Sequence, residues 1–458
     1  MVIQNNRERF LFLRDKYPVF SYDSYSYRID NKDLFMQFQF STGEDIHFNV
    51  ESRLKYHASF DTFYTSNALS RLDTFIFSIG MIELISYWKA ICSPLIRIKA
   101  GTLSEEAISF WKKLYYHGLG EFFYLNGITV NFFDFTEIIA CGDDAKKTLF
   151  SFTLKDETII PIGGGKDSIV TLELMRPFKV IPMVINPRGA TLDTIRIAGF
   201  ENNFLEIQRK IDPLLLKLNE QEFLNGHTPF SAMLAFYSVL LAVVSGKKNI
   251  ALSNELSANE PTVIGLDINH QYSKSFEFEY DFRTYVATYL SKEVNYYSFL
   301  RPLNELQIAC LFSQQQQYFS VFKSCNVGSK KDIWCCNCAK CLFTFIILSP
   351  YIPPEQLTCI FGKNLFEKED LLPVFRELCG LTNEKPFECV GTIDEVCLSL
   401  VQAIGQYDKL PFLLQYFTSV SLYQQYRYVE FEQQLRKLND SHFLTENEFG
   451  ILKKHFNL

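Results

Sequence analysis

Residues 159–175 read IIPIGGGKDSIVTLELM, and this stretch is the most informative part of the sequence. A run of apolar β-forming residues stops at three consecutive glycines, and a helical pattern begins directly after Lys-Asp-Ser. Glycine costs conformational entropy inside a regular element, so three together indicate a backbone that must approach something closely. The stretch therefore predicts a strand, a tight loop and the first turns of a helix.

The segments that follow continue an alternation of strands and helices. FKVIPMVIN at 178–186 predicts a strand, SAMLAFYSVLLAVVSG at 231–246 a buried helix, and KNIALSNE at 248–255 another strand. Between them, IRIAGF at 195–200 is interpreted as a short connection and FLEIQRKI at 204–211 as a further element. Such alternation is typical of an α/β fold with a parallel sheet and helices on its faces.

Polar stretches follow the ends of these predicted strands. They are GGGKDS at 163–168, INPRG at 185–189 and SNELSANEPT at 253–262. Ligands of open parallel sheets bind beyond the carboxyl ends of the strands. We therefore expect the functional site at this edge of the sheet.

The rest of the chain predicts two accessory regions. Before the glycine stretch, alternating segments such as LFMQFQF at 34–40 precede a long apolar segment at 75–91, which indicates an α+β domain. After about residue 353 the pattern is helical throughout. The predicted organisation is an N-terminal α+β accessory domain at 1–157, an α/β domain with the glycine stretch at 158–352 and a helical C-terminal region at 353–458.

The overall composition excludes several classes of protein. The 458 residues carry a formal net charge of −7, which opposes general electrostatic binding of nucleic acid. The sequence has no apolar run of 18 residues, so we expect no membrane span, and the charged start MVIQNNRERF does not resemble a signal peptide. These features predict a soluble cytoplasmic protein, and they leave its oligomeric state open.

The glycine stretch has the chemistry of an anion site. A strand, a glycine turn and a helix N-terminus together present backbone N–H groups to a ligand, and the helix dipole favours negative charge there. The lysine adds a positive charge, the serine a hydroxyl, and the aspartate can hold Mg²⁺ or cap the helix. The predicted phosphate-binding residues are Gly163, Gly164, Gly165, Lys166, Asp167 and Ser168. The alternative is a tight turn without a ligand.

The order of these residues distinguishes the loop from two common nucleotide motifs. The span between the glycines is too short for the Walker pattern, and Ser168 stands where a dinucleotide-binding loop needs its last glycine. The stretch instead resembles the pyrophosphate-binding loop (PP-loop) of the ATP pyrophosphatase superfamily, usually written S-G-G-x-D-S. Gly163 replaces the usual first serine. The resemblance implies a sheet of the adenine nucleotide alpha hydrolase type, with ATP and Mg²⁺ as ligands.

Further stretches narrow the resemblance to one family. They are GLGEFFYLNGI at Gly118, SNELSANEPT at Ser253, NHQYSKSFEFEYDFRTY at Asn269 and WCCNCAKCLF at Trp334. Together with the glycine loop, over about Gly118 to Phe343, they resemble the bacterial UDP-N-acetylmuramoyl-L-alanyl-L-glutamate epimerase family, MurL. This resemblance implies ATP-dependent inversion of the terminal L-glutamate of UDP-MurNAc-L-Ala-L-Glu, through an acyl-adenylate, with AMP and diphosphate released.

An epimerase also needs groups that remove and return a proton. Given the resemblance, we expect His270 and Lys274 to face the substrate, with Glu255 as a third candidate catalytic residue. Other acids in the same polar stretches are Glu260, Glu277 and Glu279. The alternative for all of them is a solvated surface, and SFEFEYDF at 275–282 can be a strand with its acids in water.

Cysteines cluster near residue 335. Cys336, Cys338 and Cys341 are candidate ligands of a structural Zn²⁺, with Cys325 completing the set. A thiol pair with a redox or packing role, and packing on the substrate side with Lys340, remain as alternatives.

Two other functions fit the glycine loop. One is an adenylating PP-loop enzyme that acts on a nucleobase or tRNA, which the acidic net charge disfavours. The other is a sensor that binds ATP without turnover, which has less need of the Lys-Asp-Ser sequence.

Overall fold

A β-sheet runs through the fold in the computed structural model, which describes residues 4–60, 69–142, 149–263 and 265–457. Its strands are β1 Val19–Asp30, β2 Asp33–Thr42, β3 Ile46–Leu54, β4 Leu95–Ile98, β5 Glu137–Ala140, β6 Lys155–Pro161, β7 Val180–Ile185, β8 Leu205–Lys210, β9 Lys247–Leu252 and β10 Asn295–Ser298. Their order is β10-β9-β6-β7-β8-β3-β2-β1-β4-β5. With the helices below, this confirms the predicted α/β class.

The helices of the described residues are short to medium in length. They are α1 Arg7–Lys16, α2 Asp73–Trp88, α3 Glu105–Gly118, α4 Gly120–Leu125, α5 Lys166–Leu174, α6 Gly189–Ile197, α7 Pro213–Glu220, α8 Phe230–Ser245, α9 Phe276–Tyr285, α10 Glu305–Ser313, α11 Ala339–Leu348, α12 Pro354–Phe361, α13 Leu372–Leu378, α14 Ile393–Ile404, α15 Phe412–Ser419, α16 Ser421–Tyr426, α17 Phe431–Gln434 and α18 Glu446–His455. Within the described part of the chain, none of them has the length and apolar character that crossing a membrane requires.

The strand order reverses direction at β6. The chain continues from β6 to its neighbour β7, and later returns to place β9 on the opposite side of β6. In open α/β sheets the crevice at such a switch point is where ligands bind. The glycine loop begins directly after β6, so the topology puts it at the expected position.

The chain forms two compact units, and each is built from three separate segments. Unit 1 comprises Met1–Ile159, Leu205–Ile250 and Tyr272–Tyr296, and unit 2 comprises Ile160–Phe204, Ala251–Gln271 and Tyr297–Leu458. The sequence predicts three consecutive domains instead. Local patterns identify elements along the chain, but they do not show which distant segments pack together.

Unit 1 contains an antiparallel meander of β1, β2 and β3. Asn31 and Lys32 have φ of 49° and 68°, which is the left-handed geometry of a tight hairpin turn. In β2 and β3 alternate side chains are buried, as the sequence predicts. Beneath the meander, Glu83 of α2 is completely buried and pairs with Arg209 of β8, at 2.6 Å between Oε1 and Nε.

Unit 2 has a hydrophobic core of its own. Apolar residues of α5, α10, α11, α14 and α15 meet there, and every residue of α11 is buried. Three helices of this unit begin with a capping box: α10 at Asn304, α14 at Thr392 and α18 at Thr445. The helical character predicted for the region after residue 353 is confirmed.

Two sequence interpretations were wrong. IRIAGF is not a connection, because Ile195 to Ile197 are the last turn of α6. SFEFEYDF is not a strand: Ser275 caps α9 by accepting a hydrogen bond from the Phe278 N–H at 3.1 Å. The apolar residues at 278, 282 and 285 are buried on one side of this helix. The alternation of the sequence was misleading because the capping signal was overlooked.

A close approach inside unit 1 yields a stability prediction. A Cβ at Gly80 of α2 would lie 1.9 Å from the Tyr22 hydroxyl oxygen and 2.8 Å from Phe38 Cδ1, both on buried rings. We predict that Gly80→Ala lowers the free energy of unfolding by roughly 1–3 kcal/mol, because overpacking outweighs the better helix propensity of alanine. Urea unfolding followed by far-UV circular dichroism measures this.

Gly450 provides the matched control. It lies inside α18, and a Cβ there would meet no atom within 4 Å among the described residues. Gly450→Ala should raise the free energy of unfolding by about 0.5–1 kcal/mol, since only helix propensity changes. Equal effects of the two substitutions would contradict the packing described at Gly80.

Candidate functional site

The glycine loop connects β6 to α5 as the sequence predicts. Gly164 has φ of +81°, a conformation that strains any residue with a side chain. A Cβ on Gly164 would lie 3.1 Å from the carbonyl carbon of Ala190, and one on Gly165 would lie 2.7 Å from Ser324 Oγ. The backbone of Ala190 and Thr191 therefore crowds Gly164, and the Ser324 hydroxyl group crowds Gly165.

The remaining surface of the loop is open. A Cβ on Gly163 would meet nothing within 4 Å among the described residues, and the glycine is exposed. Within the described part of the chain, no group accepts a hydrogen bond from the N–H of Gly163, Gly164 or Gly165. Gly165 is the N-cap residue of α5 and offers no side chain as a cap. The loop and the start of α5 thus have the free donors of an anion site.

Lys166 does not lie at the surface of the loop, although the sequence predicts that it adds positive charge to the anion site. Its side chain is only 2% exposed, and its ammonium group binds the carboxylates of Asp167 and Glu305. Glu305 is the first residue of α10 and is 1% exposed. The lysine therefore ties the start of α5 to the start of α10, and direct contact with an anion falls to the backbone N–H groups.

Burial and charge change the titration of both partners. Burial lowers the pKa of Lys166, but Asp167 and Glu305 raise it by more, so that the net shift is upward. Burial raises the pKa of Glu305 to about 8, although the nearby Lys166 charge opposes this shift. Burial therefore favours the neutral form of the Glu305 carboxyl group, whereas the neighbouring acids favour the charged form of Lys166.

Two further buried carboxyl groups surround Glu305. The Glu305 N–H donates to Glu395 Oε1 at 2.8 Å, and the charge of Glu255 raises the pKa of both Glu305 and Glu395. We call Glu255, Glu305 and Glu395 the carboxylate cluster; they are 3%, 1% and 6% exposed. Fully buried Arg301 donates from Nη1 to the Glu255 carbonyl oxygen at 2.7 Å. Such a concentration of buried acids is typical of a functional site.

The other loop side chains have distinct positions. Ser168 donates from Oγ to the Gly165 carbonyl oxygen at 3.0 Å, so its hydroxyl stabilises the turn. The Asp167 side chain is 27% exposed, which makes it the accessible carboxylate beside the loop. Carboxylate oxygens are ligands that Mg²⁺ prefers.

The predicted catalytic residues are divided between the two units. Glu255 and His270 lie in unit 2 with the glycine loop, whereas Lys274 belongs to unit 1. The His270 N–H donates to Thr262 Oγ1 at 3.0 Å. The charge of His270 lowers the pKa of Glu388, which burial raises by more, so these two side chains lie near each other.

The other acids of these stretches have structural partners. Glu260 pairs with Lys385 in unit 2. In unit 1, Glu277 is 56% exposed and pairs with Lys113 at 2.6 Å between Oε1 and Nζ, whereas Glu279 is buried in α9. The solvated-surface interpretation therefore fits Glu277 and does not fit Glu279.

A cavity of about 570 Å³ adjoins the carboxylate cluster. It shares Glu395 with the cluster, and Ser257, Asn259 and Glu260 of the SNELSANEPT stretch also line it. Its size is within the range of small-molecule sites. The polar stretch after β9 therefore forms a wall of a cavity, as its position at a strand end predicts.

The cysteine cluster has a different membership from the predicted one. Cys325, Cys335, Cys338 and Cys341 place their Sγ atoms within 4.8 Å of one another. Cys336, a predicted ligand, has φ of 57°, and its thiol donates to the Phe361 carbonyl oxygen at 3.2 Å. The left-handed backbone turns its side chain into the core and leaves Cys335 beside the other three.

Sequence reasoning missed Glu305, Arg301 and Glu395. The first two follow β10, whose sequence NYYS is short and was not recognised as a strand. Had it been, the polar RPLNE at its end would have drawn the same attention as the other strand ends. Glu395 is hidden in a capping box, where its sequence signal is purely structural.

Comparisons with known proteins assign the chain to a family. The MurL N-terminal domain matches residues 11–299, and the MurL C-terminal domain matches residues 320–421. A UDP-N-acetyl-alpha-D-muramoyl-L-alanyl-L-glutamate epimerase of a Micromonospora species is 35% identical over 343 residues, which are 73% of this chain and 76% of the relative.

Epimerases of the same name from two further organisms are similar. That of Xanthomonas oryzae pv. oryzae is 35% identical over 68% of this chain and 70% of its own length, and that of Salinispora tropica is 34% identical over 70% and 72%. No solved structure matches the chain. From its domain matches and these relatives, the chain belongs to the MurL epimerase family.

Proposed function

We propose that this chain inverts the terminal L-glutamate of UDP-MurNAc-L-Ala-L-Glu to D-glutamate, with cleavage of ATP to AMP and diphosphate, for peptidoglycan synthesis in the cytoplasm. The names of its relatives support the substrate. The glycine loop with its free N–H groups is the observation that supports the use of ATP. These names favour the epimerase over a tRNA- or nucleobase-adenylating enzyme and over an ATP sensor.

The use of ATP follows from the chemistry of the substrate. Removing the α-proton beside an ionised carboxylate would place a second negative charge on the same few atoms. Joining that carboxylate to adenylate removes its charge and makes the α-proton far more acidic. Once the proton has returned on the opposite face, hydrolysis of the adenylate releases the D-glutamyl product and AMP.

The glycine loop fits the diphosphate that leaves ATP in this reaction. Gly163 faces open space, and the three glycines directly precede α5. The dipole of this helix favours negative charge at its N-terminus. The partly exposed Asp167 carboxylate would hold Mg²⁺, which neutralises phosphate charge when bound. Lys166 holds Asp167 in place from the buried side.

The carboxylate cluster supplies candidates for the proton steps. Glu305 has a raised pKa of about 8 and can carry a proton at neutral pH, and Glu255 lies close enough to influence it. Electrostatic stabilisation of the charge that develops at a reacting carbonyl is stronger in such a buried setting than in water. We retain Glu255, His270 and Lys274 as candidates for proton transfer or phosphate binding.

The function itself predicts exchange of the substrate α-proton with solvent. In D₂O, the purified protein should introduce deuterium at the terminal glutamate α-carbon of UDP-MurNAc-L-Ala-L-Glu only when ATP and Mg²⁺ are present. NMR or mass spectrometry of the product measures the label. Deuterium entry at equal rates without ATP, or none with it, would overturn the proposal.

A substitution in the loop tests the assignment of Asp167. Asp167→Asn should lower the rate of AMP formation roughly a hundredfold or more, because the amide cannot supply the anionic ligand that Mg²⁺ needs. The melting temperature should fall, since asparagine leaves the buried Lys166 with Glu305 as its remaining acidic partner among the described residues, but the variant should remain folded at the assay temperature because asparagine has the same size as aspartate. Asp193→Asn, at an exposed acid of α6 that pairs with Arg196, is the control and should keep full activity. Full activity of Asp167→Asn would remove Asp167 from the site.

The raised pKa of Glu305 predicts a pH dependence of stability. Between pH about 5 and about 8 the folded chain holds a proton on Glu305 that the unfolded chain has lost, so stability falls as pH rises through this window. Glu305→Gln cannot ionise, and its stability should fall less steeply over the same range. Urea unfolding at several pH values measures the slope. Identical slopes for the two proteins would contradict the assignment.

A further inference from the structure

The cysteine group of Cys325, Cys335, Cys338 and Cys341 has the dimensions of a metal site. The Sγ atoms of Cys325 and Cys338 lie 3.8 Å apart, those of Cys335 and Cys341 3.7 Å, and those of Cys338 and Cys341 3.5 Å. A tetrahedral zinc ion with Zn–S bonds of about 2.3 Å separates its sulfur ligands by about 3.8 Å. The observed separations agree with that geometry.

Other occupants fit these distances less well. A disulfide requires sulfurs about 2.05 Å apart, and all four cysteines are free thiols. An iron–sulfur cluster binds its cysteines at the outer corners of a cage of several atoms, so it needs wider separations than four sulfurs all within 4.8 Å. One small ion that prefers four sulfur ligands fits best, and Zn²⁺ is such an ion.

Backbone groups near the four sulfur atoms favour the negatively charged thiolate form that binds metal. The Gly328 N–H donates to Cys325 Sγ at 3.1 Å, and the Asn337 N–H lies 3.5 Å from Cys335 Sγ. Cys338 is the N-cap residue of α11, and Cys341 lies in its first turn, where the helix dipole favours negative charge. The ammonium group of Lys368 donates to the Cys336 carbonyl oxygen at 3.1 Å and brings positive charge to the same loop.

We propose that Cys325, Cys335, Cys338 and Cys341 bind one structural Zn²⁺ ion. The four ligands close the site, which leaves no open position for catalysis. This proposal is independent of the reaction proposed above.

The segment that the ion would fix contacts the glycine loop. Just before Cys325, the Lys323 N–H donates to the Gly164 carbonyl oxygen at 2.8 Å. Between the ligands, the Asp332 carboxylate accepts hydrogen bonds from the N–H groups of Gly189 and Ala190 at 3.2 and 3.0 Å. Ala190 in turn lies against Gly164. Zinc binding would therefore restrain the residues that pack against the glycine loop, in addition to cross-linking the segment from Cys325 to Cys341.

Metal analysis of the purified full-length protein tests the site. After expression in zinc-supplemented medium and gel filtration, elemental analysis should find one zinc per chain. Replacement by Co²⁺ should give the sulfur-to-cobalt charge-transfer bands and the intense d–d bands of a tetrahedral thiolate site. Protein that holds no zinc, or a cobalt spectrum without charge-transfer bands, would overturn the proposal even if every variant failed to fold.

Two neighbouring cysteines provide a matched pair of variants. Cys335→Ser should lose the zinc, whereas Cys336→Ser should keep it, although Cys336 is the more buried residue. A strong chelator should lower the melting temperature of the wild type and of Cys336→Ser, and should leave that of Cys335→Ser unchanged. Loss of zinc from Cys336→Ser with retention in Cys335→Ser would refute this ligand set.

Discussion

The candidate site depends on the N–H groups of the glycine loop, which need a hydrogen-bond acceptor. They lie at the switch point of the sheet and at the start of α5, and no described group accepts their hydrogen bonds. Donors in that position favour an anion, and the helix dipole adds to the attraction. Close neighbours at Gly164 and Gly165, which are the backbone of Ala190 and the Ser324 hydroxyl group, leave little space for a side chain at either position.

The glycines of the loop carry no charge, and the charged side chain directly after them is buried. The cation of Lys166 lies inside the protein, with Asp167 and Glu305 as its partners, while the donors of the glycine loop are neutral N–H groups. Breaking a buried pair of this kind by removing one partner costs roughly 3–5 kcal/mol. Lys166 therefore connects the start of α5, directly after the glycine loop, to the carboxylate cluster.

Local sequence predicted the local parts of the site well. The strand, glycine turn and helix at 155–174 follow from a pattern of neighbouring residues, and the structure confirms them. Glu305 and Glu395 were missed because they approach the loop only after distant segments fold together. Cys336 was preferred to Cys335 because spacing alone does not reveal that φ at 336 is positive. The interleaved segments of the two units are equally invisible to local patterns.

The central claim is that the loop holds diphosphate while a substrate carboxylate is adenylated. Exchange of radiolabelled diphosphate into ATP tests it most directly, because the label enters ATP only if adenylation is reversible at a site that binds diphosphate. The account predicts exchange that requires UDP-MurNAc-L-Ala-L-Glu and that disappears when Gly164 is replaced by valine in a folded variant. Substrate-dependent exchange that survives this replacement unchanged would contradict it.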